Sequence, residues 1–151
     1  DARIEWIDSR EELFPGSVSA NVRLVGVDDA VAYVNELTDA HRCIIIPHDH
    51  ALDYQLTHKV LTETEIDYVG LIGSDTKAKR FYSRLEKDGV SDHDRKRCCC
   101  PIGMPTVKGK LPMEIAVSIA AQILSLDPVK ASQIKTDLPW REIRAAFPPQ
   151  T

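Results

Sequence analysis

Length, composition and charge limit the protein classes to which this chain can belong. Its 151 residues suffice for one domain with a sizeable core, and 43% hydrophobic with 28% charged residues is ordinary for a globular protein. The formal net charge of −4 argues against a general nucleic-acid-binding protein, which would usually be basic. No apolar run approaches the ~20 residues that a membrane span requires.

The first 90 residues predict alternating strands and helices. The strand-like segments are residues 3–7, 21–26, 43–47 and 67–73. The segments with helical spacing of apolar residues are 28–38, 51–63 and 75–89. Segment 43–47 has no polar alternation, so we expect it to be fully buried. This alternation favours an α/β fold, with a mostly parallel sheet and helices on both faces.

The pattern changes after Gly89. Residues 90–100 are polar and charged, and residues 100–112, with three prolines and two glycines, predict an irregular loop or short hairpin. A helix is predicted over 112–126, with Pro112 at its first position, and a short one over 140–147. We therefore expect an α/β domain over 1–126, followed by a tail over 127–151.

The first strand ends in Asp8, with Arg10 close behind. In dinucleotide-binding folds an acid at the end of the second strand binds the ribose hydroxyls, and a nearby Arg can meet a 2′-phosphate. The glycine-rich loop that should lie about 20 residues upstream is absent from this sequence. Asp8 and Arg10 therefore suggest a nucleotide site in a sheet that lacks its first strand.

In the doubly wound order 3-2-1-4-5, that first strand lies at the centre of the sheet. We expect it between segments 3–7 and 43–47, supplied by an upstream segment, another chain or a second copy. The alternative is a rearranged sheet in which these two segments pair directly.

The stretch "LIGSDTKAKR" predicts a strand, a Gly73-Ser74 turn and a helix. Because a helix N-terminus attracts anions, this turn is a candidate phosphate site, with Lys77 and Arg80 adding positive charge. The alternative is that Ser74 only caps the helix and the basic side chains face water.

Histidines and cysteines supply further candidates. In "PHDHALD", His48, Asp49 and His50 follow the third strand; they line a cleft or, as an incomplete set, contribute to a metal site. The three cysteines at 98–100 lack zinc-site spacing, and the cations of "RKR" beside them would lower a thiol pKa. The alternative is that these three adjacent cysteines are incidental and have no chemical function. Cys43 is expected to be a small buried hydrophobe. Without a disulfide framework, the cysteines indicate a reducing compartment, so we expect a cytoplasmic protein.

One polar stripe runs along the otherwise apolar helix 112–126, formed by Glu114, Ser118 and Gln122 at four-residue spacing. A helix this apolar is expected to be buried on most sides. The stripe is either its solvated edge or part of a polar cleft shared with "PIGMP". The apolar surface also suggests dimerisation.

Two stretches, "YVGLIGSDTKAKRF" and "CPIGMPTVKGKLPMEIAVSIAAQIL", resemble the C-terminal Rossmann-like domain of the XdhC/CoxI proteins. These proteins are accessory factors for xanthine dehydrogenase and related molybdenum hydroxylases. "HDHALD" matches the family loop after the corresponding strand. The sequence departs from the family pattern at Pro47, at Asp75-Thr76 and at Gln122, where Thr, more basic residues and Glu are usual.

The resemblance implies a maturation chaperone rather than a catalyst. Such a protein binds the molybdenum cofactor (molybdopterin), supports its sulfuration and passes it to the apo-dehydrogenase. The implied partners are xanthine dehydrogenase or a related molybdenum hydroxylase, and a cysteine desulfurase; a homodimer is expected. The candidate cofactor-binding residues are Asp8, Arg10, His48, Asp49, His50, Gly73, Ser74, Lys77, Arg80, Gly103, Glu114 and Ser118. Two alternatives remain: a fragment of an NAD(P)-binding oxidoreductase and a structural dimerisation domain.

Overall fold

The computed structural model describes residues 2–38, 40–47, 49–107, 109 and 111–126. The chain divides into two units, residues 1–102 and 103–151, and each unit is described by itself. The short helix predicted over 140–147 lies outside the described residues.

All described strands of the first unit run parallel to their neighbours. They are β1 (Ile4–Asp8), β2 (Val22–Gly26), β3 (Arg42–Ile45), β4 (Tyr68–Leu71) and β5 (Cys98–Cys99). β1 pairs with β2, and a separate sheet has the order β3-β4-β5. The fold class predicted from the sequence is confirmed, although the strands form two sheets.

Because β1 and β3 belong to different sheets, no backbone hydrogen bonds pair these two strands in the part of the chain that the structure describes. Within the described residues, β1 is hydrogen-bonded only to β2, and β3 only to β4. The direct pairing of these two strands, which the sequence left open as an alternative, is therefore not found. That another segment supplies a strand between them stays a prediction.

The face of β3 opposite the core is exposed. Ile45 is 4% exposed and packs in the core, whereas Ile44 and Ile46 are 41% and 55% exposed. Successive side chains of a strand point to opposite faces, so burying one face does not bury the other. The expectation that residues 43–47 are fully buried was therefore wrong. On β1, Ile4 and Trp6 are likewise exposed.

The helices of the first unit lie close to their predicted positions. They are α1 (Ala30–Tyr33), α2 (His50–Glu63), α3 (Asp75–Lys87) and α4 (Asp92–Lys96), with 3₁₀ turns at Glu11–Leu13 and Val34–Glu36. Asp29 caps α1 by accepting hydrogen bonds from the amides of Val31 and Ala32. α1 is shorter than the predicted helix 28–38 because its second half is the 3₁₀ turn.

The polar segment after Gly89 contains regular structure that its composition did not predict. Ser91 caps α4, its hydroxyl accepting from the amide of Asp94 at 3.0 Å. Cys98 and Cys99 then form β5 beside β4. The cysteine run is thus partly a strand and not wholly a loop, because backbone pairing with a buried neighbour outweighs local composition.

A core of aliphatic side chains joins α2, β4 and α3. Leu61, Ile66, Val69, Leu71 and Leu85 are each at most 1% exposed. Such side chains contribute about 1.5–3 kcal/mol each when fully buried. This core fixes the carboxyl end of β4 relative to the helix that follows it.

Arg97 joins the end of α2 to the start of β4. Its guanidinium donates to the carbonyl oxygens of Leu61, Thr64 and Ile66, and to the carboxylate of Asp94. The last carbonyls of a helix have no intrahelical partner, so this arginine satisfies groups that would otherwise need water.

The second unit contains α5 (Pro112–Leu126), which confirms the predicted helix bounds. Ser118 and Ile119 are buried, whereas Met113, Val117 and Leu124 are 74%, 56% and 70% exposed. The expectation of a helix buried on most sides was therefore wrong. Of the polar stripe, Ser118 is buried and Gln122 is half-buried, because both side chains bind the preceding loop, whereas Glu114 is exposed.

Candidate functional site

The carboxyl ends of the strands carry most of the predicted binding residues. In parallel α/β sheets, loops at this edge form the ligand sites. Asp8 is the last residue of β1 and Arg10 lies just beyond it, Asp49 follows β3, and Gly73 and Ser74 follow β4.

Asp8 and Arg10 bind each other. One carboxylate oxygen of Asp8 accepts from the amide and Nε of Arg10 at 3.0 and 2.9 Å, and the other accepts from Nη2 at 2.9 Å. The hydrogen bond to Asp8 raises the pKa of Arg10 above its ordinary value. A nucleotide that used either residue would have to compete with this pairing.

The Gly73-Ser74 turn leads directly into α3. The Ser74 hydroxyl accepts from the amide of Lys77 at 3.3 Å, so Ser74 caps the helix as one interpretation of the sequence expected. Ser74, Asp75 and Thr76 are exposed. First-turn amides have no intrahelical acceptor, and they remain a place where an anion can bind.

Lys77 points into the protein rather than towards an anion at the turn. Its ammonium forms an ion pair with Asp53 and donates to the carbonyl oxygen of Ile72 at 2.8 Å. The side chains of Lys77 and Asp53 are 15% and 2% exposed. The ammonium of Lys77, which the sequence suggested for anion binding at the turn, is therefore already paired with Asp53. This pair holds α3 against α2.

Gly73 allows the side chains of Lys77 and Cys100 to lie close to the backbone of the turn. A Cβ atom at this position would lie 2.8 Å from Cδ of Lys77 and 3.1 Å from Sγ of Cys100. Gly73 thus leaves room for the Lys77 side chain to reach Asp53. Any larger residue would displace the lysine or the cysteine.

Burial favours the protonated form of the thiols of Cys98 and Cys100. Burial raises the pKa of Cys98 to about 12, and burial also raises that of Cys100 despite the opposing effect of Lys77. The expectation that the neighbouring cations of "RKR" lower the thiol pKa is therefore wrong for these two residues, because burial is the largest effect on both pKa values. Burial also raises the pKa of Cys43 to about 11, consistent with a small hydrophobe.

The loop after β3 is only partly described. Asp49 caps α2, its carboxylate accepting from the amide of Ala51 at 2.7 Å. His48 and the side chain of His50 lie outside the described residues. In the part of the chain that the structure describes, no group of three His, Cys, Asp or Glu residues is arranged to hold a metal ion.

In the second unit, the polar stripe of α5 holds the preceding loop. The Ser118 hydroxyl accepts from the amide of Met104 at 2.8 Å, and Gln122 accepts from that of Gly103 at 2.7 Å. The predicted contact with "PIGMP" is confirmed for Ser118. Glu114 instead is exposed and accepts from the amide of Leu111 at 2.9 Å, because it lies in the first turn and completes the helix start.

Gly103 is required by this arrangement. Its φ of +112° is a backbone conformation that residues with a side chain rarely adopt, and an added Cβ would lie 2.7 Å from the Ser118 hydroxyl oxygen. The predicted binding residues Gly103 and Ser118 therefore have a structural function in shaping this loop.

The sequence interpretation missed one surface. Lys79, Arg80, Ser83, Arg84 and Lys87 line an open depression of about 510 Å³ along α3. The five residues recur at helical spacing, which is the signal that could have revealed them. We call this surface the basic face of α3.

Parallel strands alternating with helices, with polar residues at the strand ends, define a Rossmann-like α/β domain. This class is confirmed by comparison with known families. The chain belongs to the family of XdhC Rossmann domains, whose model matches residues 1–123. None of the curated proteins matches the chain significantly. Among the described residues, no helix is both long and apolar enough to span a membrane.

Proposed function

We propose that this chain is a domain of an accessory protein that binds the molybdenum cofactor, supports its sulfuration and helps to insert it into xanthine dehydrogenase or a related hydroxylase. The observation that carries the proposal is the family match over residues 1–123. Its role is that of a maturation chaperone, with a cysteine desulfurase as the sulfur-supplying partner.

The start of α3 fits the phosphate-bearing end of such a cofactor. Ser74 fixes the first turn, and the exposed backbone around Asp75 and Thr76 offers amide donors to an anion. The ion pair between Lys77 and Asp53 holds this first turn of α3 in place. The carboxylate of Asp75 opposes an anion, so the backbone amides would have to provide the attraction. The bound cofactor would supply the redox chemistry of the dehydrogenase.

The second candidate is a fragment of an NAD(P)-binding oxidoreductase. It is favoured by the positions of Asp8 and Arg10 at the end of β1. It is weakened by their mutual hydrogen bonds of 2.9 Å, which occupy the groups that a ribose or a 2′-phosphate would use. We therefore rank cofactor handling first.

Binding of isolated molybdenum cofactor to the purified chain tests the proposal. The informative variant is Thr76→Glu, which adds a negative charge at an exposed position in the first turn of α3. A carboxylate there is compatible with the helix dipole, so the fold should persist, but it should repel a phosphate. The matched control is Thr62→Glu, which adds the same charge at an exposed position on α2.

We expect the wild type and Thr62→Glu to bind the cofactor with similar affinity and Thr76→Glu to bind it more weakly. No binding by the wild type would contradict cofactor handling by this chain. Equal binding by both variants would show that the cofactor does not use the start of α3. Titration with NAD and NADP in parallel tests the second candidate.

A further inference from the structure

Three cations of the basic face, Lys79, Arg80 and Lys87, differ from most other cations of the first unit. Arg10, Arg23, Lys59, Lys77, Arg95, Lys96 and Arg97 each have a carboxylate partner within 4 Å. Lys79, Arg80 and Lys87 make no ion pair with any residue that the structure describes, and all three line the same depression. In a chain with a net charge of −4, this concentration of unpaired positive charge is local.

Arg84 completes the surface with a fixed guanidinium. It stacks on the ring of Tyr54, with Cζ 3.7 Å from the ring centroid, while its side chain stays 62% exposed. Its Nε is 3.7 Å from a carboxylate oxygen of Asp88, a contact too long for a strong hydrogen bond. Because stacking limits its rotamers, this arginine loses less freedom when it binds a carboxylate.

We infer that the basic face of α3 is a docking surface for an acidic segment of a partner protein. From residue 79 to residue 87 the helix rises by about 12 Å, at ~1.5 Å per residue. An extended chain covers that distance in about four residues, at ~3.3 Å each. A short run of Asp and Glu residues therefore matches the charges of this face in length and sign.

A protein segment fits better than a nucleic acid. The depression is open and runs along one helix, whereas duplex binding relies on many phosphate contacts over a larger basic surface. The identity of the partner, the client hydroxylase, rests on the proposed function; the docking chemistry does not.

A labelled decaglutamate peptide tests the inference by fluorescence polarisation with the full chain. We expect binding at low salt that weakens at about 0.15 M salt, where the Debye length is about 8 Å. The double variant Lys79→Glu with Lys87→Glu should weaken binding about tenfold, since it reverses two contacts. Arg3→Glu with Arg23→Glu is the matched control with the same change in charge, and it should bind like the wild type.

A milder double variant, Lys79→Gln with Arg80→Gln, protects the test against misfolding of the charge-reversed protein. It should also weaken binding, while circular dichroism shows the wild-type helix content. Two results would overturn the inference: no peptide binding by the wild type, whether or not a DNA duplex binds, or equal loss of binding in the control variant. The cofactor titration is independent of this assay, so failure of either proposal is recognised separately.

Discussion

The ion pair between Lys77 and Asp53 allows a quantitative test of what holds α3 in place. Lys77→Met keeps an unbranched apolar stem and removes the ammonium. Asp53, whose side chain is 2% exposed, then loses its contact with the Lys77 ammonium, and the carbonyl of Ile72 loses a donor at 2.8 Å. Breaking a buried pair by removing one partner costs about 3–5 kcal/mol. Because the Lys77 side chain is itself 15% exposed, we expect the lower end, about 3 kcal/mol.

Urea unfolding measures this loss as a change in the free energy of unfolding. The control is Lys79→Met, on the exposed basic face, which should change stability by less than about 0.5 kcal/mol. The double variant Lys77→Met with Asp53→Asn should recover a large part of the loss, because no buried carboxylate remains without its cation. This coupling distinguishes an ion pair from simple packing of the lysine stem.

A Lys77→Met variant as stable as Lys79→Met would contradict a stabilising ion pair between Lys77 and Asp53. In that case the ammonium does not hold α3 against α2, and Lys77 becomes available to a ligand. The interpretation of Lys77 as an anion-binding residue, which the sequence first suggested, would then regain support.

Three further predictions concern other contacts. Arg97→Lys should lower the free energy of unfolding by about 1–3 kcal/mol, because an ammonium cannot reach all the carbonyls that the guanidinium binds; urea unfolding checks this, and an unchanged midpoint contradicts it. Ser118→Ala should cost about 1 kcal/mol and increase amide exchange at Met104, whose hydrogen-bond acceptor is removed; unchanged exchange contradicts it. The pKa of Cys98 is raised from 9.0 to about 12, so the unfolded chain releases this proton first and stability should fall as the pH rises from about 9 towards 12. Cys98→Ser should flatten that pH dependence, and an identical profile would exclude Cys98 as a cause.

Local patterns predicted most elements of the fold. Helical spacing gave α2 and α3 to within a few residues, and Pro112 marked the start of α5 correctly. Such patterns depend on neighbours three or four positions apart, which the sequence shows directly. They failed at β5, because a two-residue strand is defined by its pairing with Val69 and Gly70 and not by its own composition.

The contacts of the candidate site could not be predicted in the same way. Lys77 and Asp53 are 24 positions apart, and Arg97 reaches carbonyls 31 to 36 positions earlier in the chain. A charge near a predicted helix start looks available for a ligand until its tertiary partner is known. Burial likewise could not be predicted for Cys98. Its charged neighbours in sequence suggested a lowered thiol pKa, whereas desolvation raises that pKa.

Two adjacent residues of α2 hold opposite ends of α3, and this bears on both proposals. Asp53 pairs with Lys77 near the start of α3, and the hydroxyl of Tyr54 donates to Asp88, just past its end, at 2.5 Å. Burial and this hydrogen bond raise the pKa of Tyr54 to about 12, so the phenol keeps its proton near neutral pH. A helix anchored at both ends has a defined axis. Its first-turn amides and its basic face are therefore presented at a fixed spacing, so a cofactor and an acidic partner segment could bind the same helix without competing for the same groups.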